Sequence, residues 1–511
     1  MIYYLIKLNS INKFINSNII YKLYRSINKQ CIYIQFIILL FIVSLIIGCD
    51  NNPINEGVDL KGQIILLDNQ LEVSITEYDS IFVALYPTAT LDSNINNIIQ
   101  IHQNIGTDFS QEIIFDHRTQ VPNYIVNANS DGFFLIKGIK KGLYNLVVIK
   151  PYWSIKYIYN VEIKDNKIQD IGNLFVNKAI NIKDNITNQF IFKSGQMYLI
   201  DEDINFLNDV IIEEGSYLAV KPGRTIKFYS NIESPPSGLW QINTSYNIYK
   251  FGLVNIDYTN YFNGVIIYNN DVTFSRACVK NANTALSVLG QNCYISHSNF
   301  MNSGYGILTS NVNINIDNCS FVDLLSAGVQ VLGIDNDLII TDCIVHCCND
   351  GIVIYTGGDT IIENNYISNN NIGIRPTSAH GEIKHCEFNT NYYDIFMSSS
   401  NYLVEYNNFN YSRYISIIPN SISLTSQSII SNNNFIDTHY AFISVRAGSP
   451  LYTCVISDLN AINNFWDKEN IDEYLLDALD NDAYPAGQIC PWKIIYIPKK
   501  QSRISSAGIS G

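Results

Sequence analysis

Three ionisable side chains in the second half of the chain have the types and the spacing that acid–base or cation chemistry would use. Asp350, Arg375 and Asp394 lie 25 and 19 residues apart, each beside a short apolar run. Carboxylates bind hard cations such as Ca²⁺, and side chains that exchange protons serve as general acids and bases. We therefore treat these residues as candidate catalytic residues. The alternative interpretation is a solvated Asp–Arg surface pair, which contributes little energy.

A repeat predicts how these residues are positioned. Seven segments share an aliphatic first position, a small polar fourth position and an apolar sixth position. The first positions, separated by 21, 24, 22, 21, 21 and 26 residues, are Ile295, Ile316, Ile340, Ile362, Ile383, Val404 and Ile430. The fourth positions are Ser298, Cys319, Cys343, Asn365, Cys386, Asn407 and Asn433. Short strands at this period predict a solenoid in which equivalent positions stack about 4.8 Å apart and fourth-position side chains hydrogen-bond along the stack.

Each repeat continues with a glycine, or a substitute for it, and a second apolar strand. In the later repeats these strands are Gly351-Ile352-Val353, Gly373-Ile374-Arg375 and Asp394-Ile395-Phe396. The residues expected to face outward after the glycine position are Leu308, Gln330, Val353, Arg375 and Phe396. Because successive coils lie side by side, we expect Asp350, Arg375 and Asp394 to converge within a few strand spacings on one outer face.

The repeat resembles the pectate-lyase-like right-handed parallel β-helix proteins over residues 195–466, and we assign the solenoid to residues 190–467. Residues 209–226 resemble the first coils of that family, and Asn463 to Asp467 resemble its closing signature, in which Trp466 is expected to pack. Asn470 and Glu473 then predict a helix N-cap box. An apolar stripe predicts a capping helix within residues 468–497, before a tail at 498–511; the stripe contains Ile471, Tyr474, Leu475, Ala478 and Leu479.

The resemblance implies sugar-binding clefts along the outer face of one sheet. Catalysis in that family uses acidic Ca²⁺ ligands and a base, often Arg or Lys, that removes the proton beside a uronate. Arg375, Asp350 and Asp394 have these residue types without a complete motif. The family also contains adhesins and proteins of no known chemistry, so that the fold alone does not assign a reaction.

Strand-like runs separated by turn residues predict a β-sandwich over residues 58–177. Its second half begins with Asp131-Gly132-Phe133 and continues in a D-G-x-F-x-I-x-G-I-x-x-G-x-Y-x-L pattern. This resembles the carboxypeptidase regulatory-like family, a transthyretin-type sandwich. The resemblance implies a stalk or spacer without catalytic residues of its own. A long loop at residues 88–123 lies outside the pattern.

The first 49 residues are predicted to direct export. Five cations and no acidic residue precede Cys49, and an apolar run spans residues 36–47. The run has the length of a signal-peptide core and is short for a membrane span. It ends in Leu45 to Cys49, which resembles the lipobox of bacterial lipoproteins. The resemblance implies lipid attachment at Cys49 and a cell-envelope location, on the periplasmic or the surface face. An uncleaved signal anchor is the alternative.

Charge and cysteine content exclude some function classes. The formal net charge is −14 and only 15% of residues are charged, so the chain has no cationic footprint for nucleic acid. The chain has 11 cysteines. The cluster of Cys343, His346, Cys347 and Cys348 could suggest a soft-metal site, although Cys343 also fits the repeat's polar position.

These features give an all-β chain, with a β-sandwich followed by a right-handed parallel β-helix and a C-terminal capping helix. The leading hypothesis is an envelope-anchored lipoprotein with a non-catalytic glycan-binding, adhesive or structural role. Its expected partners are a polysaccharide or another surface component and the membrane. The rival hypothesis is a polysaccharide lyase or glycoside hydrolase with its site near Arg375, in which Ca²⁺ would bridge the acidic protein and an acidic sugar. A weaker third hypothesis is an accessory role in periplasmic cofactor maturation.

Overall fold

The computed structural model describes residues 57–68, 71–72, 78–91, 96, 105–107, 109–164, 168–420, 428–444, 458–476 and 494–509. The described part of the chain is all-β, with 53% of the residues there in strands, and its main body is a right-handed parallel β-solenoid of about 12 turns. The fold class expected from the repeat is therefore confirmed.

The N-terminal unit consists of two four-stranded sheets. The strands of the front sheet are Val58–Asp68, Leu71–Glu72, Phe133–Ile139 and Ile168–Asn177. The strands of the back sheet are Phe82–Pro87, Tyr124–Asn127, Gly142–Ile149 and Lys156–Ile163. Alternate side chains of both sheets, such as Leu60 and Leu146, are buried in one shared core. The other face of the back sheet is also covered, by residues that include Phe115, Tyr249 and Phe251.

The solenoid has three parallel sheets, which we call S1, S2 and S3. S1 contains 13 strands: Ile180–Ile182, Met197–Ile200, Tyr217–Val220, Trp240–Thr244, Ala277–Lys280, Asn299–Met301, Ser320–Val322, Ile344–His346, Tyr366–Ser368, Glu387–Asn389, Asn408–Asn410, Asn434–Ile436 and Phe465–Trp466. S2 contains 12 strands: Ile204–Phe206, Thr225–Phe228, Phe262–Ile267, Ala282–Val288, Tyr305–Ser310, Ala327–Leu332, Asp350–Tyr355, Ile372–Pro376, Tyr393–Ser398, Ile415–Asn420, Ala441–Ser444 and Leu475–Leu476.

S3 contains 10 strands: Thr273–Ser275, Cys293–Ser296, Ile314–Asp317, Leu338–Thr341, Asp359–Glu363, His380–Lys384, Asn401–Glu405, Ile429–Ser431, Leu459–Asn460 and Ile494–Ile495. Three further strands precede it as a separate sheet: Phe190–Phe192, Val210–Ile212 and Ile232–Glu233. The helical segments include an α-helical turn at Gln111–Ile114 and 3₁₀ turns at Tyr258–Asn260 and Ile471–Tyr474.

The repeat columns of the sequence become columns of the core. The first-position residues pair coil to coil in S3, for example Ile316 with Ile340 and Ile340 with Ile362. The sixth-position residues do the same in S1, where Phe409 stacks on Phe435 with ring centroids 4.8 Å apart. Full burial of each such side chain contributes about 1.5–3 kcal/mol, so that the stacked columns supply most of the driving force for coiling.

An asparagine ladder forms at the corner between S3 and S1, at the fourth position of the repeat. The Asn407 side chain accepts the Cys386 backbone N–H at 2.8 Å and donates to the Ile383 carbonyl at 2.8 Å and to Asn433 Oδ1 at 3.0 Å. Asn433 is linked to Asn464 in the same way. These side chains are fully buried, and they satisfy backbone groups that the corner would otherwise leave without partners.

A second ladder, at the corner between S1 and S2, was not predicted. Asn370 accepts the Cys348 backbone N–H at 2.8 Å, and Asn391 accepts the Asn370 N–H at 2.9 Å. The residue before each ladder position adopts a left-handed conformation, as in Asn369 (φ 56°) and Thr390 (φ 54°). The same conformation precedes the first ladder. Where these ladders form, the corner is therefore a left-handed bend followed by an inward polar side chain.

The glycine column exists because adjacent coils approach closely where S2 begins. A Cβ atom on Gly351 would lie 2.3 Å from the carbonyl oxygen of Gly373, and one on Gly373 would lie 2.5 Å from that of Asp394. A side chain at this position requires the backbone to shift. Asp394 takes the glycine position in its own coil, where its side chain is fully buried.

The predicted capping helix is wrong over the described residues. Ile471–Tyr474 form a single 3₁₀ turn without a side-chain cap from Asn470, and Leu475–Leu476 pair with Ala441–Ser444 as a strand of S2. Ile471 and Leu475 are buried at the end of the core, so their stripe follows the coil and not a helix. The unpaired edge of the preceding coil supplies backbone partners that compete with helix formation. Ala478 and Leu479 lie outside the described residues.

The described residues of the loop at 88–123 include several that lie against the solenoid. Its Ile105, Phe109 and Ile113 pack on outward side chains of S1, including Val322 and Ile344. The Arg118 guanidinium is buried and forms a bidentate ion pair with Asp116. It also donates hydrogen bonds to the backbone carbonyls of Thr244 and Tyr246 at 2.8 and 2.9 Å. The loop thus joins the N-terminal unit to the first coils by buried, hydrogen-bonded contacts.

Asn407→Ala is expected to lower the free energy of unfolding by about 1–3 kcal/mol, because the Cys386 N–H loses its buried acceptor. The matched control is Asn401→Ala, whose side chain lies exposed in the same coil and should change stability by less than about 0.5 kcal/mol. Urea unfolding followed by circular dichroism measures both. Equal losses in the two variants would contradict a stabilising ladder.

Candidate functional site

The outer face of S2 carries the predicted site. Ile352, Ile374 and Ile395 point into the core and pair coil to coil. Side chains alternate along a strand, so the next residues, Val353, Arg375 and Phe396, face outward in three adjacent coils. Arg375 therefore lies one strand spacing from Phe396, as the outward column of the sequence predicts.

Arg375 and Asp350 form a partly buried ion pair on this face. Arg375 Nη2 lies 2.5 Å from both carboxylate oxygens of Asp350. The side chains are 30% and 10% exposed, respectively. Burial raises the pKa of Asp350, and the nearby Arg375 opposes this rise. Arg375 Nε has no partner and is buried, so the guanidinium keeps donor capacity that the pair does not use.

Asp394 does not join this pair, and the expectation that it faces the same surface is wrong. Asp350 precedes a glycine of the column, whereas Asp394 takes the glycine's own position, so the two carboxylates are one residue out of phase. The Asp394 side chain is fully buried and accepts hydrogen bonds from Asn391 and Ser412 of the second ladder. Burial raises its pKa to about 7. Its carboxyl group is therefore part of the corner and not of the outer face.

The three residues do not fit a Ca²⁺ site. Calcium takes six to eight oxygen ligands, but Asp350 is bound by Arg375 and Asp394 lies inside the corner. Within the described ranges, no group of three or more His, Cys, Asp or Glu side chains is arranged to hold a metal ion.

Each residue of the predicted cysteine cluster occupies a defined position of the repeat. Cys343 occupies the first ladder and donates weakly to the Thr341 carbonyl, while Cys348 occupies the second and is also buried. Cys347 is the left-handed residue of the corner. His346 Nδ1 lies 2.7 Å from Ser368 Oγ. The repeat phase therefore accounts for all four residues without a metal.

Aromatic side chains beside Arg375 complete a surface that was not predicted. Tyr393 contacts Phe396 edge to face, with centroids 5.9 Å apart. Tyr392, Tyr414 and Tyr440 stack in three successive coils, with centroids 5.1 and 4.8 Å apart. Their spacing of 22 and 26 residues matches the repeat, and this was the signal that could have revealed them. We call Arg375, Phe396, Tyr393 and the tyrosine stack the S2 aromatic surface.

The match to a family model supports the fold of the central coils. The model of the family described as "Right handed beta helix region" matches residues 237–379. A solved structure of a variant of the periplasmic alginate epimerase AlgG is similar at 13% identity and a TM-score of 0.33, over 56% of this chain and 70% of that chain. No curated protein matches. Neither similarity identifies a reaction for this chain.

The predicted lipidation site, Cys49, lies outside the described residues. Among the residues that the structure does describe, no helix has the length and hydrophobicity needed to cross a bilayer.

Asp394→Asn is expected to flatten the pH dependence of stability. With a folded-state pKa of about 7 and an unfolded value of about 3.9, the folded state holds the extra proton between these limits. The contribution of Asp394 to the free energy of unfolding is fully present below about pH 4. It is lost as the pH rises through about 7, by roughly 1 kcal/mol per pH unit. Asparagine is neutral at every pH. The hydroxyls of Ser412, Ser416 and Thr438 are hydrogen-bonded in series, and they can rotate so that Ser412 accepts a hydrogen bond from the asparagine amide.

Urea midpoints at pH 5 and pH 8 measure this effect. The control is Asp335→Asn, at an exposed position, which should keep the wild-type difference between the two pH values. A wild-type difference in Asp394→Asn would mean that Asp394 is ionised in the folded protein across this range.

Proposed function

We propose that the protein is a lipoprotein of the cell envelope that binds a polysaccharide or another surface component on its β-helix without transforming it. The observation that carries the proposal is the S2 aromatic surface. It combines a partly exposed guanidinium with partly exposed aromatic rings one coil away. Aromatic rings cover the apolar faces of sugars and guanidinium groups donate to their oxygens, a combination of apolar and polar contacts that suits ligand recognition.

The ion pair favours binding over catalysis. The guanidinium charge of Arg375 is compensated by Asp350 at 2.5 Å, and the second predicted acid is enclosed in the corner. A lyase would need a base that is free to take a proton in contact with the substrate. The lyase or hydrolase remains the second candidate, because Arg375 and a carboxylate of raised pKa do meet on the outer face.

The predicted lipid anchor at Cys49 is the basis for the proposed location in the cell envelope. The export signal and the lipobox-like segment ending at Cys49 are features of lipoproteins, and a lipid chain contributes about 0.8 kcal/mol per buried methylene to membrane binding. Anchoring at the N-terminus would leave the solenoid, some 130 residues later in the chain, facing the periplasm or the outside.

The binding proposal is tested with the full-length protein in detergent on immobilised neutral and acidic polysaccharides, with Ca²⁺ and with a chelator. We expect retention on at least one polysaccharide, no release of unsaturated or reducing ends, and no effect of chelation. Arg375→Ala and Phe396→Ala should weaken retention. Arg224→Ala, which removes an exposed ion pair with Glu202 in an early coil, is the control.

Two other outcomes of this experiment would lead to different conclusions about function. Product release that disappears in Arg375→Ala would establish the lyase or hydrolase and overturn the binding proposal. The absence of both retention and products would leave a structural or protein-binding role.

Cys49→Ser is expected to move the protein from the membrane fraction to the aqueous fraction of the cell, because the acyl chains lose their attachment atom. Fractionation together with the mass of the N-terminal peptide measures this. A variant that stays in the membrane would support the uncleaved signal anchor.

A further inference from the structure

A cleft separates the N-terminal unit from the first coils of the solenoid, far along the chain from the S2 aromatic surface. Its volume is about 460 Å³, within the roughly 300–1,000 Å³ of small-molecule sites. Tyr157 and Tyr159 of the back sheet form one wall, and Tyr217 of S1 lies in the other. A loop of the N-terminal unit contributes Glu112.

The walls are fixed by the buried contacts of the 88–123 loop. Burial raises the pKa of Asp116, but the charge and hydrogen bonds of Arg118 outweigh this and lower it overall. Burial lowers the pKa of His117 to about 4, so the ring is neutral at physiological pH. His117 Nε2 lies 2.9 Å from the Ile248 carbonyl, which can only accept, and therefore Nδ1 accepts the Tyr157 hydroxyl at 2.9 Å. The cleft is thus preformed.

The lining combines aromatic rings with hydrogen-bonding groups. Tyr157 and Tyr159 are parallel, with centroids 5.8 Å apart, and both rings are half-buried while their hydroxyl ends are deeply buried. Glu112 and Glu214 present carboxylate acceptors. The Ser216 hydroxyl is fully buried at the cleft and has no partner in the protein. A buried hydroxyl without a partner costs about 1–3 kcal/mol, and a ligand in the cleft would supply that partner.

We propose that this cleft binds a segment of an uncharged oligosaccharide, made of hexose or N-acetylhexosamine units, between the tyrosines of its two walls. The ligand class rests on the proposed glycan-binding function; the site does not use the S2 aromatic surface. Sugar hydroxyls donate to the two carboxylates and bond the Ser216 hydroxyl, and the tyrosine rings cover the apolar faces of the sugar.

The charge of the cleft selects against uronates. Among the lining residues, Glu112 and Glu214 face one cation, Lys156, and the whole chain has a net charge of −14. A uronate carboxylate would lie near like charges in a partly desolvated site, which is unfavourable. An uncharged sugar meets the same carboxylates as hydrogen-bond acceptors, which is the stronger kind of polar contact.

Isothermal titration of the full-length protein in detergent tests this, with cellohexaose, N-acetylchitohexaose and hexagalacturonate as probes. We expect at least one of the two uncharged oligosaccharides to bind and hexagalacturonate not to bind. Glu214→Lys, at an exposed lining position, should weaken binding at least tenfold. Glu233→Lys, exposed on a neighbouring strand outside the cleft, should not.

Ser216→Ala separates binding from folding. It removes an unpaired buried hydroxyl, so the melting temperature should not fall, while affinity for the oligosaccharide should fall at least threefold. Unchanged affinity in both Ser216→Ala and Glu214→Lys would overturn the cleft site but leave the glycan-binding function intact. Binding of hexagalacturonate, or of none of the three probes, would overturn the proposal, and retention on the polysaccharide columns would decide the wider function separately.

Discussion

The left-handed bend followed by an inward polar side chain, at the corners where the two ladders form, is the constraint on which the other features depend. The bend turns the chain from one sheet to the next within two residues, and the side chain that follows bonds the backbone of the neighbouring coil. Asn407, Asn433 and Asn464 do this in succession between S3 and S1. The hydrogen bonds fix the phase of each coil against the next, and with that phase fixed, the aliphatic and aromatic columns fall on one another.

The same phase decides which charges reach the surface. Asp350 and Asp394 both lie near the start of an S2 strand, yet one pairs with Arg375 at the outer face and the other is enclosed with Ser412 in the corner. A shift of one residue relative to the glycine column separates the two outcomes. In a solenoid, residue type therefore says less about exposure than the position within the coil does.

The structural features whose residue types recur from coil to coil could be predicted from the sequence, and the features that occur once could not. The aliphatic, apolar and small polar columns recur at each of the seven segments, so the solenoid, its stacked core and the first ladder followed from spacing. The second ladder mixes serine, cysteine, asparagine and threonine with the apolar Leu324, so its common polar role was not apparent. The strand at Leu475–Leu476 was missed because its apolar spacing suits a helix as well, and only the open edge of the preceding coil decides between them. Contacts of the 88–123 loop with S1 join residues some 200 positions apart, as Thr107 and Ser320 do, and no local pattern encodes them.

Those contacts also change how the N-terminal unit is understood. A spacer needs only its own core, whereas this unit buries both faces of its back sheet and places a charged residue, Arg118, inside the boundary with the coils. Removing such a pair from water is costly unless every donor is used. Asp116 and the Thr244 and Tyr246 carbonyls take four of the five guanidinium donors here. The boundary therefore joins the two units by buried hydrogen bonds, and tyrosines from both units form the two walls of one cleft.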